Sequence, residues 1–357
     1  MKLIGYLFAS LIIFESLSFI TYQKIKKSKK YRDGIEAINY IMSNDIGSPN
    51  RKFIAKPYSL YWNASLREES GILQTDSDGY RLTKNGNLFD GREKIVLVLG
   101  GSTTFSDHYS NNPENTWVSH AQDYLFEKGI KDVRLINAGL NYATTAELLS
   151  HYIFLGQHLN PIIVVMDGPG NDFLPVAYGD TTTDYSKTRI AFYFQKRKYE
   201  KMMLKSFIIK LLFTKITTSA NLVHMEPQNF SLGKFEEQNL RLINSNAAVY
   251  ELNMTTLIKL CTFNNSPLII TDFLRPSEDV MKNYYPLIYT GLIAFNNKCS
   301  EINRRLATNY RLANHLESND ISDKYFMDSC HLSSEGEKIK GHTVALKIYE
   351  LILEKIN

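Results

Sequence analysis

From Lys94 onward, short apolar runs alternate with amphipathic stretches, and that alternation predicts most of the elements. Residues 95–99, Ile-Val-Leu-Val-Leu, form a continuous apolar run rich in β-branched residues, which reads as a strand buried on both faces of a parallel sheet. The run stops at Gly100 and Gly101, which permit a tight turn. A helix is predicted over 115–128, ending near Gly129, and a second strand over 133–137. The stretch 144–158 carries Leu148, Leu149, Tyr152 and Leu155 at helical spacing and is stopped by Pro161. Residues 162–166 are a third buried strand. The repeat then breaks, and 173–234 reads as an insertion. Order resumes with a long helix over 235–262, a fourth strand over 267–271 and further helix over 280–315. A short extended piece at 324–327 precedes a last helix from about 333 to 353. Strands alternating with helices predict an α/β fold with a parallel sheet covered on both faces.

Before this repeat the pattern differs. Residues 3–22 are apolar for about the length that spans a bilayer, interrupted by Glu15 and diluted by Ser10, Ser16 and Ser18. A membrane anchor, a signal peptide and a buried core helix all fit such a run. Lys24, Lys26, Lys27, Lys29, Lys30 and Arg32 follow, which a core helix rarely tolerates, and no convincing small-x-small cleavage site is present. The expected organisation is an uncleaved anchor at 1–23, a juxtamembrane connector at 24–90 and the α/β domain at 91–355 with the insertion inside it. Within the connector, residues 76–81 (Asp-Ser-Asp-Gly-Tyr-Arg) read by composition as a surface loop.

Composition narrows the function. Hydrophobic content of 44% and charged content of 22% are those of a globular protein. The net charge of +4 is small and no zinc-finger or RNA-binding motif occurs, so nothing argues for nucleic acid. The cysteines, Cys261, Cys299 and Cys330, are isolated, with neither metal-ligand spacing nor a disulfide framework.

The chemistry gathers after strands, where open α/β sheets place their ligands. Ser102, Gly139, Asn171 and the pair Asp328 and His331 all fall in polar turns along that edge. Acyl transfer needs a nucleophile, a base, a group that orients the base, and donors for the oxyanion. Ser102 is the candidate nucleophile, His331 the base and Asp328 its orienter. The backbone N–H groups of Ser102 and Gly139 and the Asn171 amide are the candidate oxyanion donors. Each piece also has a plain structural reading. Ser102 and Asn171 can cap helices, Gly139 can serve a turn, Asp328 and His331 can be a surface pair, and Cys330 a small packing residue. Their joint occurrence, in order and at strand ends, favours the catalytic one.

These blocks resemble the SGNH, or GDSL-like, hydrolases. Gly100-Gly-Ser-Thr-Thr-Phe105 looks like the first block, and residues 137–147 (Asn-Ala-Gly-Leu-Asn-Tyr-Ala-Thr-Thr-Ala-Glu) resemble the second, which supplies Gly139. Residues 167–172 (Asp-Gly-Pro-Gly-Asn-Asp) resemble the third, which supplies Asn171, with one residue more than the usual Gly-x-Asn-Asp. Residues 328–332 (Asp-Ser-Cys-His-Leu) resemble the Asp-x-x-His block, and 76–81 is similar to a segment preceding the core in membrane-linked members. The resemblance implies a flavodoxin-like three-layer α/β/α fold and a serine esterase acting on carboxylic esters, often acetyl groups on glycans or cell-envelope polysaccharides. It implies a Ser102–His331–Asp328 triad and neither metal nor organic cofactor. An O-acetyltransferase using the same residues is a close variant, and a non-catalytic glycan-binding envelope protein is the rival.

Two further expectations follow. The insertion leaves from the edge that carries Asn171, so it is expected to form a lid or side wall, with Tyr185, Phe192, Tyr193 and Phe194 either stacking on sugars or filling its own core. Basic residues at 24–32 favour a cytoplasmic domain by the positive-inside tendency, whereas the resemblance favours an extracytoplasmic one, which is the expectation retained.

Overall fold

The structure is a computed structural model that describes residues 2–26, 68–106, 113–185, 205–220 and 235–356, with short breaks at 70–71, 74, 77, 85–90, 92, 141–142, 169 and 318–320. The chain forms two compact units, residues 1–50 with 192–231, and residues 51–191 with 232–357.

The larger unit is built on a five-stranded parallel sheet. In chain order its strands are β1 (Lys94–Gly100), β2 (Val133–Gly139), β3 (Ile163–Asp167), β4 (Leu268–Thr271) and β5 (Ala313–Leu316). Their spatial order is β2-β1-β3-β4-β5, the flavodoxin-like doubly wound arrangement. Successive side chains of a strand face opposite ways, and both faces of β1 are covered. Val96 and Val98 pack with Leu135, Ile163, Val165 and Ile269 against Trp117, Val118, Ala121 and Leu125 on one helix and Val344, Ala345 and Ile348 on another. Leu97 faces the other side, where a Cβ at Gly156 would run into it. Neither face of β1 is solvated: Val96 to Leu99 are all fully buried. The result is a three-layer α/β/α sandwich, with Ser102 directly following β1 at the carboxyl end of the sheet.

The helices, in chain order, are α1 (Lys2–Ile25), α2 (Ser102–Phe105), α3 (Trp117–Glu127), α4 (Thr145–Phe154), α5 (Phe173–Ala177), α6 (Phe207–Ala220), α7 (Phe235–Asn244), α8 (Ala248–Phe263), α9 (Glu278–Tyr284), α10 (Tyr289–Asn309) and α11 (Ser334–Ile356). Local chemistry sets their ends. Gly129 (φ +82°) closes α3, and a capping box between Thr144 and Glu147 opens α4.

Three sequence expectations are corrected. The single helix over 235–262 is two, because the Ser245 hydroxyl accepts from the Ala247 N–H (3.0 Å) and the Asn246 carboxamide from the Ala248 N–H (3.1 Å), holding Ala247 at φ +52°. The helix over 280–315 is likewise interrupted, at Pro286, whose ring disfavours helical backbone before it. Its last residues are the edge strand β5, which pairs only with β4 and carries Asn314 and His315 where an apolar run would be expected. The piece expected to be extended at 324–327 holds a 3-10 turn at Asp323–Tyr325, with an isolated bridge from Phe326 to Leu332.

The smaller unit pairs α1 with α6. The Glu15 carboxylate accepts the N–H groups of Phe207 (2.9 Å) and Ile208 (3.1 Å), so it fills the N-terminal end of α6. Phe19 meets the Phe207 ring edge-on at 4.8 Å, and Lys210 Nζ lies 4.5 Å from the same ring centre. Glu15 thus interrupts the apolar run of α1 because it caps a helix from the insertion. Ile13, Phe14, Leu17 and Ile20 remain exposed. Among the described residues no helix is long and apolar enough to cross a membrane, so the expected anchor gains no support from the structure. The basic run beyond Lys26 and the aromatics Phe192, Tyr193 and Phe194 lie outside the described residues. Tyr185 is fully buried in the larger unit, a core position rather than a sugar-facing one.

Candidate active site

Ser102 is the first residue of α2, which starts directly after β1 and the Gly101 turn. The register sets Gly100 beside Gly139 on β2 and beside Asp167 on β3. The chain can turn this sharply because side chains are missing where α2 folds back. A Cβ at Gly100 would collide with the Thr104 side chain, and one at Gly139 with the backbone of Phe105. Helix α2 has only four residues and so cannot satisfy its own carbonyls. Asn137 Nδ2 donates to the Thr104 carbonyl (2.8 Å) and Arg81 Nε to the Phe105 carbonyl (3.1 Å). The Thr104 hydroxyl donates to Asp167 Oδ2 (2.6 Å), which also receives Lys340 Nζ (2.7 Å), while the Thr271 hydroxyl donates to Oδ1 (2.9 Å). A fully buried carboxylate is tolerated there because a lysine and two hydroxyls surround it.

The turn before α11 brings a histidine to this serine. Asp328 Oδ1 accepts the N–H groups of Cys330 (2.9 Å) and His331 (2.8 Å), which shapes the turn. The other oxygen, Oδ2, lies 2.8 Å from His331 Nδ1, and His331 Nε2 lies 2.9 Å from Ser102 Oγ. The Met327 N–H donates to the His331 carbonyl (2.8 Å) and fixes the loop across its base. Burial disfavours charge on both partners, yet their hydrogen bond and mutual attraction outweigh it. The Asp328 carboxyl is held well below the ordinary carboxylate range, and the His331 imidazole, helped by Cys330, is raised above its ordinary value. Ser102 and the distant Asp328–His331 turn thus form one continuous relay.

The oxyanion candidates fare differently. Asn171 reaches the serine turn: its Nδ2 donates to the Ala143 carbonyl (3.0 Å), and a Cβ at Gly101 would lie 3.0 Å from that nitrogen. The neighbouring Asp172 is buried and pushed up to about 6 by that burial, with Thr145 donating through both backbone and hydroxyl. Two glycines make the longer third block fit. Gly168 has φ +33°, and a Cβ at Gly170 would strike the Phe273 ring. The Gly139 N–H donates to Asn137 Oδ1 (3.0 Å), and its missing side chain leaves room for the backbone of α2.

Sequence reasoning missed the supports. Arg81, taken for part of a surface loop, is 2% exposed and bridges to Asn137. Tyr80 is buried edge-on against His151. Only the resemblance of residues 76–81 to a segment preceding the core hinted that this stretch matters. A second His–Asp pair, His315 Nε2 to Asp272 Oδ1 at 2.9 Å, joins β5 to the end of β4. Burial acts to raise the Asp272 carboxyl, but hydrogen bonds from His315, Ser300 and Asn303 bring it below its ordinary value.

No family model matches the chain, and no curated protein matches it. Solved structures do match. A GDSL-like lipase from Bacteroides thetaiotaomicron is 14% identical, with 73% of this chain and 90% of that one covered and a TM-score of 0.40. An acetyl xylan esterase is 15% identical over 72% of this chain and 98% of that one, TM-score 0.42. An acetyl-xylooligosaccharide esterase from a Geobacillus is 10% identical over 71% and 94%, TM-score 0.42.

Proposed function

We propose that this chain is a serine ester hydrolase of the SGNH type. The observation that carries the reading is the unbroken relay from Ser102 Oγ through His331 to Asp328, with contacts of 2.9 and 2.8 Å. Ser102 Oγ attacks the ester carbonyl while His331 Nε2 takes its proton, and Asp328 stabilises the imidazolium that forms. The expected donors to the developing oxyanion are the second N–H of the Asn171 amide and the backbone N–H groups of Ser102 and Gly139. His331 then hands its proton to the departing alcohol, leaving an acyl-enzyme. Water, deprotonated by His331, hydrolyses it and restores Ser102.

The substrate class follows from the block resemblance: an acetyl ester on a glycan or envelope polysaccharide. Membrane attachment rests on the sequence alone, on the apolar residues 3–22 and the basic run after them. The domain on this reading is extracytoplasmic. Reporter fusions of alkaline phosphatase and green fluorescent protein at Asn357 test it, and a fluorescent, phosphatase-negative pair would reverse the orientation.

The test of the activity is a fluorophosphonate probe on the full chain. Labelling is expected on Ser102 and is expected to vanish in Ser102→Ala. An unlabelled wild-type protein with intact fold would leave the glycan-binding alternative standing. Release of free acetate, rather than its appearance on an added sugar acceptor, separates hydrolase from transferase.

A further inference from the structure

One side chain of the relay's turn carries a further potential metal donor. Cys330 lies between Asp328 and His331, and its Sγ is 3.5 Å from His331 Nδ1. One ligand atom from each of Asp328, Cys330 and His331 falls within 4.8 Å of the others. The Asp328 carboxylate divides its work there: Oδ1 is held by two backbone N–H groups, while Oδ2 faces Nδ1. A thiolate, an imidazole and a monodentate carboxylate are the donor types that a borderline-soft divalent cation prefers.

We propose that Cys330, His331 Nδ1 and Asp328 Oδ2 form an inhibitory site for a thiophilic divalent cation, with zinc as the fitting ion. The inference rests on the esterase reading for its consequence, though not for the binding itself.

The spacing supports it. Around a tetrahedral zinc, bond lengths of about 2.0–2.3 Å put neighbouring ligand atoms roughly 3.4–3.6 Å apart. The Cys330–His331 separation of 3.5 Å already matches. The Asp328–His331 separation of 2.8 Å has to open by a fraction of an ångström, which rotation of one carboxylate oxygen supplies while Oδ1 stays on the backbone. A small cavity of about 10 Å³ is lined in part by Thr103, Gly168, Asp272, Phe273, Cys330 and Lys340. The fourth ligand on this proposal is a water, as in zinc sites with three protein ligands.

The consequence for the relay is chemical. Binding forms metal bonds to Sγ, Nδ1 and Oδ2. The thiol releases its proton to solvent, and the single proton of the neutral ring moves from Nδ1 to Nε2 by exchange with solvent. With its proton on Nε2 the ring donates toward Ser102 Oγ and cannot accept the proton that attack requires. The orienting bond between Asp328 and His331 is lost in the same event. Nothing is oxidised or reduced, and a chelator reverses it.

The experiment has two arms on the full chain. In the first, cobalt(II) is added as a spectroscopic stand-in for zinc, and the thiolate-to-metal charge-transfer absorption is recorded for wild type, Cys330→Ala and Cys330→Ser. The band is expected in wild type only, together with a loss of apparent zinc affinity of more than about tenfold in both variants, measured by competition. In the second, hydrolysis of a chromogenic acetyl ester is followed at rising zinc. Wild type is expected to be inhibited at micromolar zinc and restored by chelation, and both variants to remain active at the same concentration. A wild-type protein with no charge-transfer band, or zinc inhibition unchanged by Cys330→Ala, overturns the proposal. If no ester is cleaved, the esterase reading fails, and the first arm still decides whether the site binds metal.

Discussion

Arg81 Nε donates to the carbonyl of Phe105 at 3.1 Å, and its guanidinium carbon sits 5.1 Å from the centre of the same residue's ring. Phe105 is the last residue of the helix that begins with Ser102. A segment preceding the sheet therefore holds the far end of the helix that presents Ser102. The stabilisation is local, but its product is the position of one hydroxyl.

Replacing Arg81 with Ala should lower stability by about 2–3 kcal/mol, because it strands a buried carbonyl and removes a charge-assisted bond. Turnover should fall while KM changes little, since the loss acts on Ser102 rather than on substrate contacts. Arg81→Lys should not restore the rate, as an ammonium cannot reproduce the flat guanidinium over Phe105. Urea titration and steady-state kinetics on an acetyl ester measure both; an unchanged kcat in a destabilised Arg81→Ala would reduce Arg81 to a folding role.

For the relay itself, Ser102→Ala and His331→Ala should each lower kcat by something on the order of 10⁴–10⁶, with the double variant little worse, because the pair acts as a unit. Asn171→Ala should cost less, on the order of 10²–10³, as for one oxyanion donor. Circular dichroism should report native structure in all three. Full activity in Ser102→Ala would end the mechanism.

The pH profile has a definite sign. In the proposed mechanism the base is neutral His331, and its partner Asp328 raises the imidazole above its ordinary value. The rising limb of kcat/KM should therefore have its midpoint above about pH 6.5. Asp328→Asn removes the carboxylate that favours the imidazolium, so the midpoint should move to lower pH while the rate falls by a factor of about 10⁴. A limb that stays put in Asp328→Asn would mean another group titrates.

Glu337 gives a stability test. Its Oε2 accepts the Trp117 N–H (2.6 Å) and the Ser106 hydroxyl (3.0 Å), and burial pushes its carboxyl up to about 7 from an ordinary 4.5. Between those values the folded protein keeps a proton that the unfolded chain has lost. The contribution of Glu337 is thus complete below the ordinary value and declines as pH rises through the window. Glu337→Gln should flatten the dependence, removing about 2–3 kcal/mol of the drop in unfolding free energy across it. Parallel urea curves at both ends of the window for wild type and variant check this; identical slopes would show that Glu337 ionises normally.

Glu15 is expected to hold α6. Without the carboxylate that accepts from Phe207 and Ile208, the first turn of that helix has no cap from α1. Hydrogen exchange at the amides of Phe207 and Ile208 should quicken in Glu15→Leu and much less in Glu15→Gln, which retains an acceptor. Equal protection in wild type and Glu15→Leu would remove the capping role.

The order β-α-β through β3, the insertion, and the residues Ser102, Asn171, Asp328 and His331 were all legible along the chain. Each is a local signal: an apolar run long enough for a buried strand, a glycine turn, or two residues close together on one turn. What tertiary structure decided is every relation between distant segments. Edge strand β5 has no apolar run, because only pairing to β4 makes it a strand. Only the packed fold brings the Asn137 side chain to the Gly139 N–H and the backbone of α2 to the space where a Cβ would stand. Arg81 looked like a surface residue because arginine usually is one; only the packed fold supplies the carbonyl of Phe105 and the aromatic face that let it be buried. Glu15 read as a flaw in an apolar helix for the same reason, since its partners come from α6. Hydrophobic periodicity sets which residues are inside, but the partner of a buried polar group is fixed only when remote backbone arrives to meet it.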